Sequence, residues 1–378
     1  MRRREWMAGT AGAMALLPSF VAVAAEADPD FLCGLGLSIN DKPLTRAVTL
    51  AAELGARSIR IDAPWSRIED ANGQLRMLPE LDAMVDQCVT SGVVPLLILA
   101  YGHPRYGGDK PTSPEAVSAF ARYAAFVVGH FKGKVRLYDV WNEWNTHTGK
   151  TRPGSADEYI QLASAVHKAA KDVDPNVKLL SGGISDLGLG KGWIERFLSL
   201  GGHKFVDGLS IHPYNWFYRN KRTPEEAMEL VDDLAAQLDA AGATSMPIYV
   251  TEVGWPSFNG KYGRTDTEVE SYLSRFMLLA SSRKRVAGVW WYCLRDQGQD
   301  TSNKEHRFGL LQFDYSRKPV ADHFQQVASL VRQNGRPVQQ SAKGEFKLRW
   351  NKAGAPAVDW QPQGEAAVPM SGLERPGR

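Results

Sequence analysis

Short apolar, β-rich runs recur along the chain, and each is followed by a helix-like segment. The runs are CGLGLS (33–38), SIRIDAP (58–64), VPLLILA (94–100), RLYDVW (136–141), KLLSGG (178–183), DGLSIHP (207–213), PIYVTE (247–252) and AGVWWYC (287–293). Apolar runs of this length, closed by polar or turn residues, predict strands. Several helix starts are explicit. Ser155 with Glu158 makes a capping box, Thr223-Pro224-Glu225-Glu226 combines a cap, a first-turn proline and a box, and Ser113-Pro114 repeats the cap-plus-proline signal. Eight strand-then-helix units predict a parallel sheet, and the count fits an α/β fold of the (β/α)8 TIM-barrel type. A doubly wound open sheet is the alternative, but no glycine-rich phosphate fingerprint follows the first strand.

The pattern breaks at both ends. Residues 1–25 begin MRRREW, continue through a weakly apolar stretch and reach small residues at Ala22-Val23-Ala24 or Ala25-Glu26-Ala27. That order is a secretory signal, and its adjacent arginines resemble a twin-arginine signal. It predicts export to a bacterial periplasm or exterior. An uncleaved anchor is the alternative, which Gly9, Gly12 and Pro18 oppose. The barrel is expected over residues 26–333. Residues 334–378 are rich in Gly and Pro, with one alternating stretch, GEFKLRW, that could add an edge strand or hairpin, and a last dozen residues expected to be disordered.

Composition narrows the function only a little. With 378 residues, 43% hydrophobic and 23% charged, the chain can bury a sizeable core. A formal charge of +3 offers no field for nucleic acid, and no later stretch is long and apolar enough to insert stably in a membrane. Cys33, Cys88 and Cys293 lack metal-ligand spacing, and Cys33 and Cys293 would sit at opposite ends of a barrel, so no disulfide is expected. The eight histidines show no HExxH or Cys-His cluster, so no metal or other cofactor is expected. A monomer is expected.

The candidate chemistry lies where strands end. YDVWNEWN places Asn142 and Glu143 just after the fourth strand, and IYVTEVGWPS places Glu252 at the end of the seventh. Active sites of this fold lie at the C-terminal ends of the strands. Two carboxylates facing one another across the mouth are what glycoside hydrolysis requires. Taken singly, either glutamate could equally cap a helix or pair with an arginine.

These motifs resemble the retaining glycoside hydrolases of clan A, with Asn-Glu after the fourth strand and a lone Glu after the seventh. The match extends over residues 33–330: Arg60 in IRID, His212-Pro213-Tyr214 after the sixth strand and Trp291 in VWWYC also fall at clan positions. The layout RIDAPWSRIE, PLLILAYGHPRY, VWNEWN is most similar to family 39 and its bacterial members that cut exopolysaccharides. One departure is WNEWN, with Trp144 where proline is common. The resemblance implies that Glu143 is the general acid/base and Glu252 the nucleophile. It also implies that Asn142 binds a hydroxyl beside the reacting carbon, that Tyr214 and Arg60 bond Glu252, and that no cofactor is needed.

Trp65, Tyr101, His103, Trp216, Trp255 and Trp291 fall near strand ends and are further candidates for sugar contact, although Trp, Tyr and His also fill structural positions there. Basic residues in the loops after the strands, Arg105, Lys110, Lys150, Arg152, Arg219, Lys221, Arg222, Lys261 and Arg264, raise the expectation of an acidic polysaccharide; solvated loop residues are the plain alternative. The expected partner is therefore a β-linked polysaccharide or oligosaccharide. A transglycosylase using the same glutamates and a non-catalytic carbohydrate-binding barrel in an export system are the competing readings.

Overall fold

The computed structural model describes residues 31–147, 151–189, 192–218, 223–340 and 345–361. The expected signal segment, the last dozen residues, and Lys150, Arg219, Lys221 and Arg222 lie outside the described residues. Eight parallel strands form the main sheet: β1 (Leu32–Gly36), β2 (Ser58–Pro64), β3 (Val94–Ala100), β4 (Leu137–Val140), β5 (Lys178–Leu180), β6 (Leu209–His212), β7 (Ile248–Val253) and β8 (Val286–Trp291). β1 pairs with both β2 and β8, so the first and last strands are neighbours. Between β5 and β6 the ring is joined by a parallel bridge of Leu180 to Gly208, supported by the Asp207 amide donating to the Leu179 carbonyl at 2.7 Å. A two-residue strand, Ile184–Ser185, adds to the upper end of β6. The result is the (β/α)8 barrel that the alternation of runs predicts.

Helices begin where their caps say they should. Ser113 accepts the Ala116 amide at the start of Pro114–His130, and capping boxes open Ala156–Val173 at Ser155 and Pro224–Ala240 at Thr223. A further box, Thr265 with Glu268, opens Asp266–Ser282. No described helix is long and apolar enough to cross a membrane.

Side-chain alternation divides the core in two. Outward-facing strand residues join the helices in one large apolar layer. Inside the barrel, Leu96, Leu137, Leu180 and Trp290 form a separate floor, with Leu32, Val94 and Tyr249 against it. Trp290 Nε1 donates to Ser58 Oγ at 3.0 Å, so the floor leaves this indole paired. That packed floor leaves only the upper end of the barrel for chemistry.

The stretch GEFKLRW does become a strand. β9 (Val338–Gln339), β10 (Phe346–Arg349) and β11 (Val358–Trp360) make a small antiparallel sheet with β10 in the middle. Trp360 ties it to the barrel, its Nε1 donating to Glu225 Oε1 at 2.8 Å. Cys33, Cys88 and Cys293 are all free and buried.

Candidate active site

Alternation along β2 sends Ser58, Arg60 and Asp62 toward the barrel interior, climbing from the floor to the cleft. Arg60 is the hub. Its Nε lies 2.7 Å from Asp139 Oδ2 on β4, its Nη2 2.8 Å from Asn142 Oδ1, and its Nη1 2.5 Å from Glu252 Oε1. Burial alone would favour loss of the Arg60 charge, but the carboxylates of Asp139 and Glu252 outweigh it and hold the guanidinium charged. Asn142 is oriented from its other side, with Nδ2 3.1 Å from the Tyr101 hydroxyl.

The chain leaves β4 through an unusual backbone. Trp141 and Glu143 both have positive φ, at 83° and 49°. For a side chain as large as Trp141 this conformation costs about 1–3 kcal/mol and persists only where its surroundings enforce it. Those surroundings are explicit. The Trp141 amide donates to Leu99 O at 3.0 Å, and the Glu143 amide donates to Gly182 O at 2.9 Å and Gly183 O at 3.1 Å. The Trp141 ring meets Tyr101, Phe120 and Trp144. Trp144 itself packs beneath the cleft, fully buried, with Nε1 donating to Ser155 O at 3.0 Å and its ring against Tyr159. The proline-to-tryptophan departure thus supplies a packed support under the glutamate.

Glu252 reaches the cleft because β7 is irregular between Val250 and Val253, where its register with β8 shifts. Its Oε2 lies 3.2 Å from the Tyr214 hydroxyl. Burial would raise the Glu252 carboxyl, but the charges of His212 and Arg60, with hydrogen bonds from Arg60 and Tyr214, hold it below the ordinary carboxylate value. Between the two glutamates stands His212, its Nδ1 2.9 Å from Glu143 Oε1 and 3.7 Å from Glu252 Oε2. Its Nε2 lies 3.0 Å from Thr251 Oγ1, which meets Ser210 Oγ at 2.5 Å; Ser210 Oγ accepts the Gly183 amide at 3.0 Å. The backbone of Glu143 and its imidazole partner are therefore fixed by one closed circuit. Gly183 can be only glycine in it: φ is +57° and an added Cβ would lie 2.3 Å from His212 Nε2.

These groups line a cleft of about 510 Å³. It brings together Arg60, Tyr101, Asn142, Glu143, Tyr214, Trp216 and Glu252 from the expected set, and His212 closes its base from beneath. Four expected sugar contacts are corrected. Trp65, fully buried, stacks on Tyr106 and donates to Glu69 Oε2 at 2.7 Å. His103 is a loop support, with Nε2 2.9 Å from Glu69 O and Nδ1 accepting the Arg105 amide. Trp255 and Trp291 pack on each other and, with Phe276, behind the sheet. Trp291 fails by one residue: inward positions on β8 are Trp290 and, just beyond the strand, Tyr292, so Tyr292 lines the cleft.

The expected acidic substrate also finds no support in the cleft. Its lining holds Arg60 and Lys304 against Asp62, Glu143, Asp186, Glu252 and Glu305. Lys110 is buried, donating to Thr146 O at 3.0 Å and to Thr151 Oγ1, while Arg152 pairs with Glu158 and Arg264 with Glu268. Arg105 donates to Ala71 O, and Lys261 lies over the Tyr262 ring. Residues that motif reading did not single out include Asp62, Asp139, Thr251 and Tyr292. The available signal was a polar residue inside an otherwise apolar strand, as in YDVW and YVTE, where burial requires a partner. Asp62, unpaired by any hydrogen bond among the described residues, is pushed up to about 6 by burial, with Arg60 opposing and Glu252 adding to the rise.

One ligand atom each from Glu143, His212 and Glu252 lie within 4.8 Å of one another, close enough to hold a metal ion. Arg60 already neutralises one of these carboxylates, which disfavours a cation at the same point and suits a site that keeps one glutamate ionised.

Residues 140–314 match the family model described as a glycosyl hydrolase catalytic core. Among solved structures, the chain is similar to a family 39 glycoside hydrolase from the gut symbiont Bacteroides cellulosilyticus WH2, at 25% identity over 90% of this chain and 72% of that one, with a TM-score of 0.74. A monomeric β-xylosidase from Caulobacter crescentus CB15 shares the fold at 18% identity over 93% and 79% of the two chains, TM-score 0.65. So does a GH5_18 protein from Streptomyces cattleya, solved in complex with GlcNAc, at 15% identity over 82% of each chain, TM-score 0.64.

Proposed function

We propose that this glycosidase, built on the barrel shared by glycoside hydrolase families 39 and 5, is an exported enzyme that cleaves a β-linked glycan with retention of configuration. The observation that carries the reading is the approach of Glu143 and Glu252, with oxygens within 4.8 Å across the cleft. Retaining enzymes separate their carboxyl groups by about 5 Å, whereas inverting enzymes need roughly 6.5–9.5 Å to seat a water. The supporting asymmetry is that the arginine and the tyrosine hydroxyl bond Glu252.

In this reading Glu252 attacks the anomeric carbon while Glu143 gives its proton to the departing glycosidic oxygen. The bond to the leaving sugar breaks and a glycosyl ester to Glu252 forms. Glu143, now ionised, takes a proton from water as that water attacks the same carbon, and Glu252 leaves as carboxylate. Asn142, held by Arg60 and Tyr101, is placed to bond the hydroxyl beside the reacting carbon. Tyr292 and Trp216 line the cleft where sugars would sit. The carboxylate-rich lining favours a neutral stretch of glycan in the cleft. Export rests on the order of basic, apolar and small residues in 1–25.

The test is proton NMR of the first product formed from a β-linked substrate. A β-anomer appearing before mutarotation is expected, and an α-anomer would overturn the proposal. Glu252→Gln should abolish turnover while leaving sugar binding in place.

A further inference from the structure

A second cavity, of about 890 Å³, lies at the opposite end of the barrel, between the strand N-termini and the last helix and small sheet. Its basic residues are Arg57 just before β2, Arg283 and Lys284 just before β8, and Arg332 and Arg336 near the end of the helix Pro319–Asn334; among the described residues no Asp or Glu lines it. Two of the five are part of the wall. Arg283 pairs with Asp232 at 3.0 Å, and Arg336 donates to the carbonyls of Arg283 and Val286 while covering the Phe31 ring. The other three differ. Arg57, Lys284 and Arg332 are exposed and have no ion pair or side-chain hydrogen bond among the described residues.

Several exposed arginines elsewhere in the chain are paired with carboxylates, Arg67 with Glu80, Arg196 with Asp157 and Arg317 with Asp322. Three cations without a carboxylate partner lining one concavity give it a local positive field. Val338, 45% exposed, lines the same space and offers an apolar contact to the carbon face of a bound ring.

We propose that this cavity is a secondary glycan-binding site for a polyanionic chain, one bearing carboxylate or sulfate groups at intervals that Arg57, Lys284 and Arg332 can reach. Such a site would hold the enzyme on an acidic matrix while the cleft at the far end works on neutral stretches. A concave site favours a flexible polymer over a membrane, because a bilayer surface cannot follow the cavity wall.

The experiment uses the full chain carrying Glu252→Gln, so that nothing is hydrolysed, titrated with polygalacturonate, dextran sulfate and neutral dextran. Both polyanions, or one of them, should bind with affinity that falls as salt rises, and neutral dextran should not compete. The tighter of the two identifies the anionic group. Adding Arg57→Ala, Lys284→Ala and Arg332→Ala together should weaken that binding by about tenfold or more. With both glutamates intact, the same three substitutions should leave hydrolysis of a short neutral substrate unchanged. Equal polyanion affinity in the triple variant would overturn the proposal. So would phosphatidylglycerol vesicles binding through these residues more tightly than either polyanion. Neither result bears on the roles of Glu143 and Glu252.

Discussion

Arg60 Nη1 and Glu252 Oε1 meet at 2.5 Å although 192 positions separate them in the chain. The same guanidinium holds Asp139 and Asn142, so one side chain from β2 orients groups from β4, its following loop and β7. Lysine would keep the charge but cannot present three donors in a fixed plane. Arg60→Lys is expected to lower kcat about 10²- to 10³-fold with a smaller change in KM. Arg60→Ala should in addition destabilise the fold by about 3–5 kcal/mol, because Asp139 is left buried without its partner. Steady-state kinetics and urea unfolding separate the two effects.

The hydrogen bond from Tyr214 to Glu252 has its own signature in pH. The Glu252 carboxyl is held below its ordinary value of 4.5 in the folded protein, so its contribution to stability is present at neutral pH and is lost as pH falls through that lowered value. The acid limb of kcat/KM should lie below about pH 4.5 if Glu252 must be ionised. Tyr214→Phe removes a donor from the charged form, and the limb should move upward. A pH–rate profile of the variant that overlays the parent's would exclude this role for the hydroxyl.

Asp62 has the reverse sign. Its ordinary value of 3.8 rises to about 6 on folding, so across that window the folded chain holds a proton that the unfolded chain has released. Stability therefore declines as pH rises from one value to the other. Asp62→Asn should raise the Tm more at about pH 7.5 than at about pH 4. Melting curves at the two pH values suffice.

Most of the barrel was legible because its strands are written as contiguous apolar runs: β2 and β3 occupy the residues that SIRIDAP and VPLLILA mark. β5 was legible in its position but not its end, since KLLSGG is strand only through Leu180, after which Gly182 and Gly183 turn the chain with positive φ to receive the Glu143 amide. The two glutamates could be picked out because strand ends in this fold share one rim. The aromatics could not be sorted the same way. Trp65, Trp255 and Trp291 also fall near strand ends, yet which face a ring takes depends on a single-residue shift. The circuit through Thr251 and Ser210 is invisible to motif reading, because it joins polar residues whose neighbours in space lie on different strands.

Gly154 shows how far outside the cleft the support for Glu143 extends. An added Cβ there would lie 2.1 Å from Trp144 Nε1, and the ring has no room to retreat between Trp141 and Tyr159. Overpacking of this kind costs about 1–3 kcal/mol and displaces the side chains that enforce the backbone at Glu143. Gly154→Ala is expected to lower both the Tm and kcat. Recovery of kcat in the double variant with Trp144→Phe, which removes the colliding nitrogen, would tie the loss to this contact.

The neighbours Trp291 and Tyr292 should separate stability from recognition. Trp291 is fully buried behind β8 against Trp255, whereas Tyr292 lines the cleft and meets Phe308 edge-on with ring centroids 5.3 Å apart. Replacing Trp291 by Ala empties a large volume in a packed layer, and a loss of about 3–5 kcal/mol is expected. Its remaining folded fraction should bind sugar normally. Tyr292→Ala removes a ring face from the cleft wall and should raise KM about tenfold, the scale of one lost aromatic–sugar contact, with a smaller drop in Tm. Substrate titrations corrected for folded fraction distinguish the residues. If Trp291→Ala raised KM and Tyr292→Ala did not, the inward position on β8 would belong to Trp291 and the side-chain alternation described for this strand would be wrong.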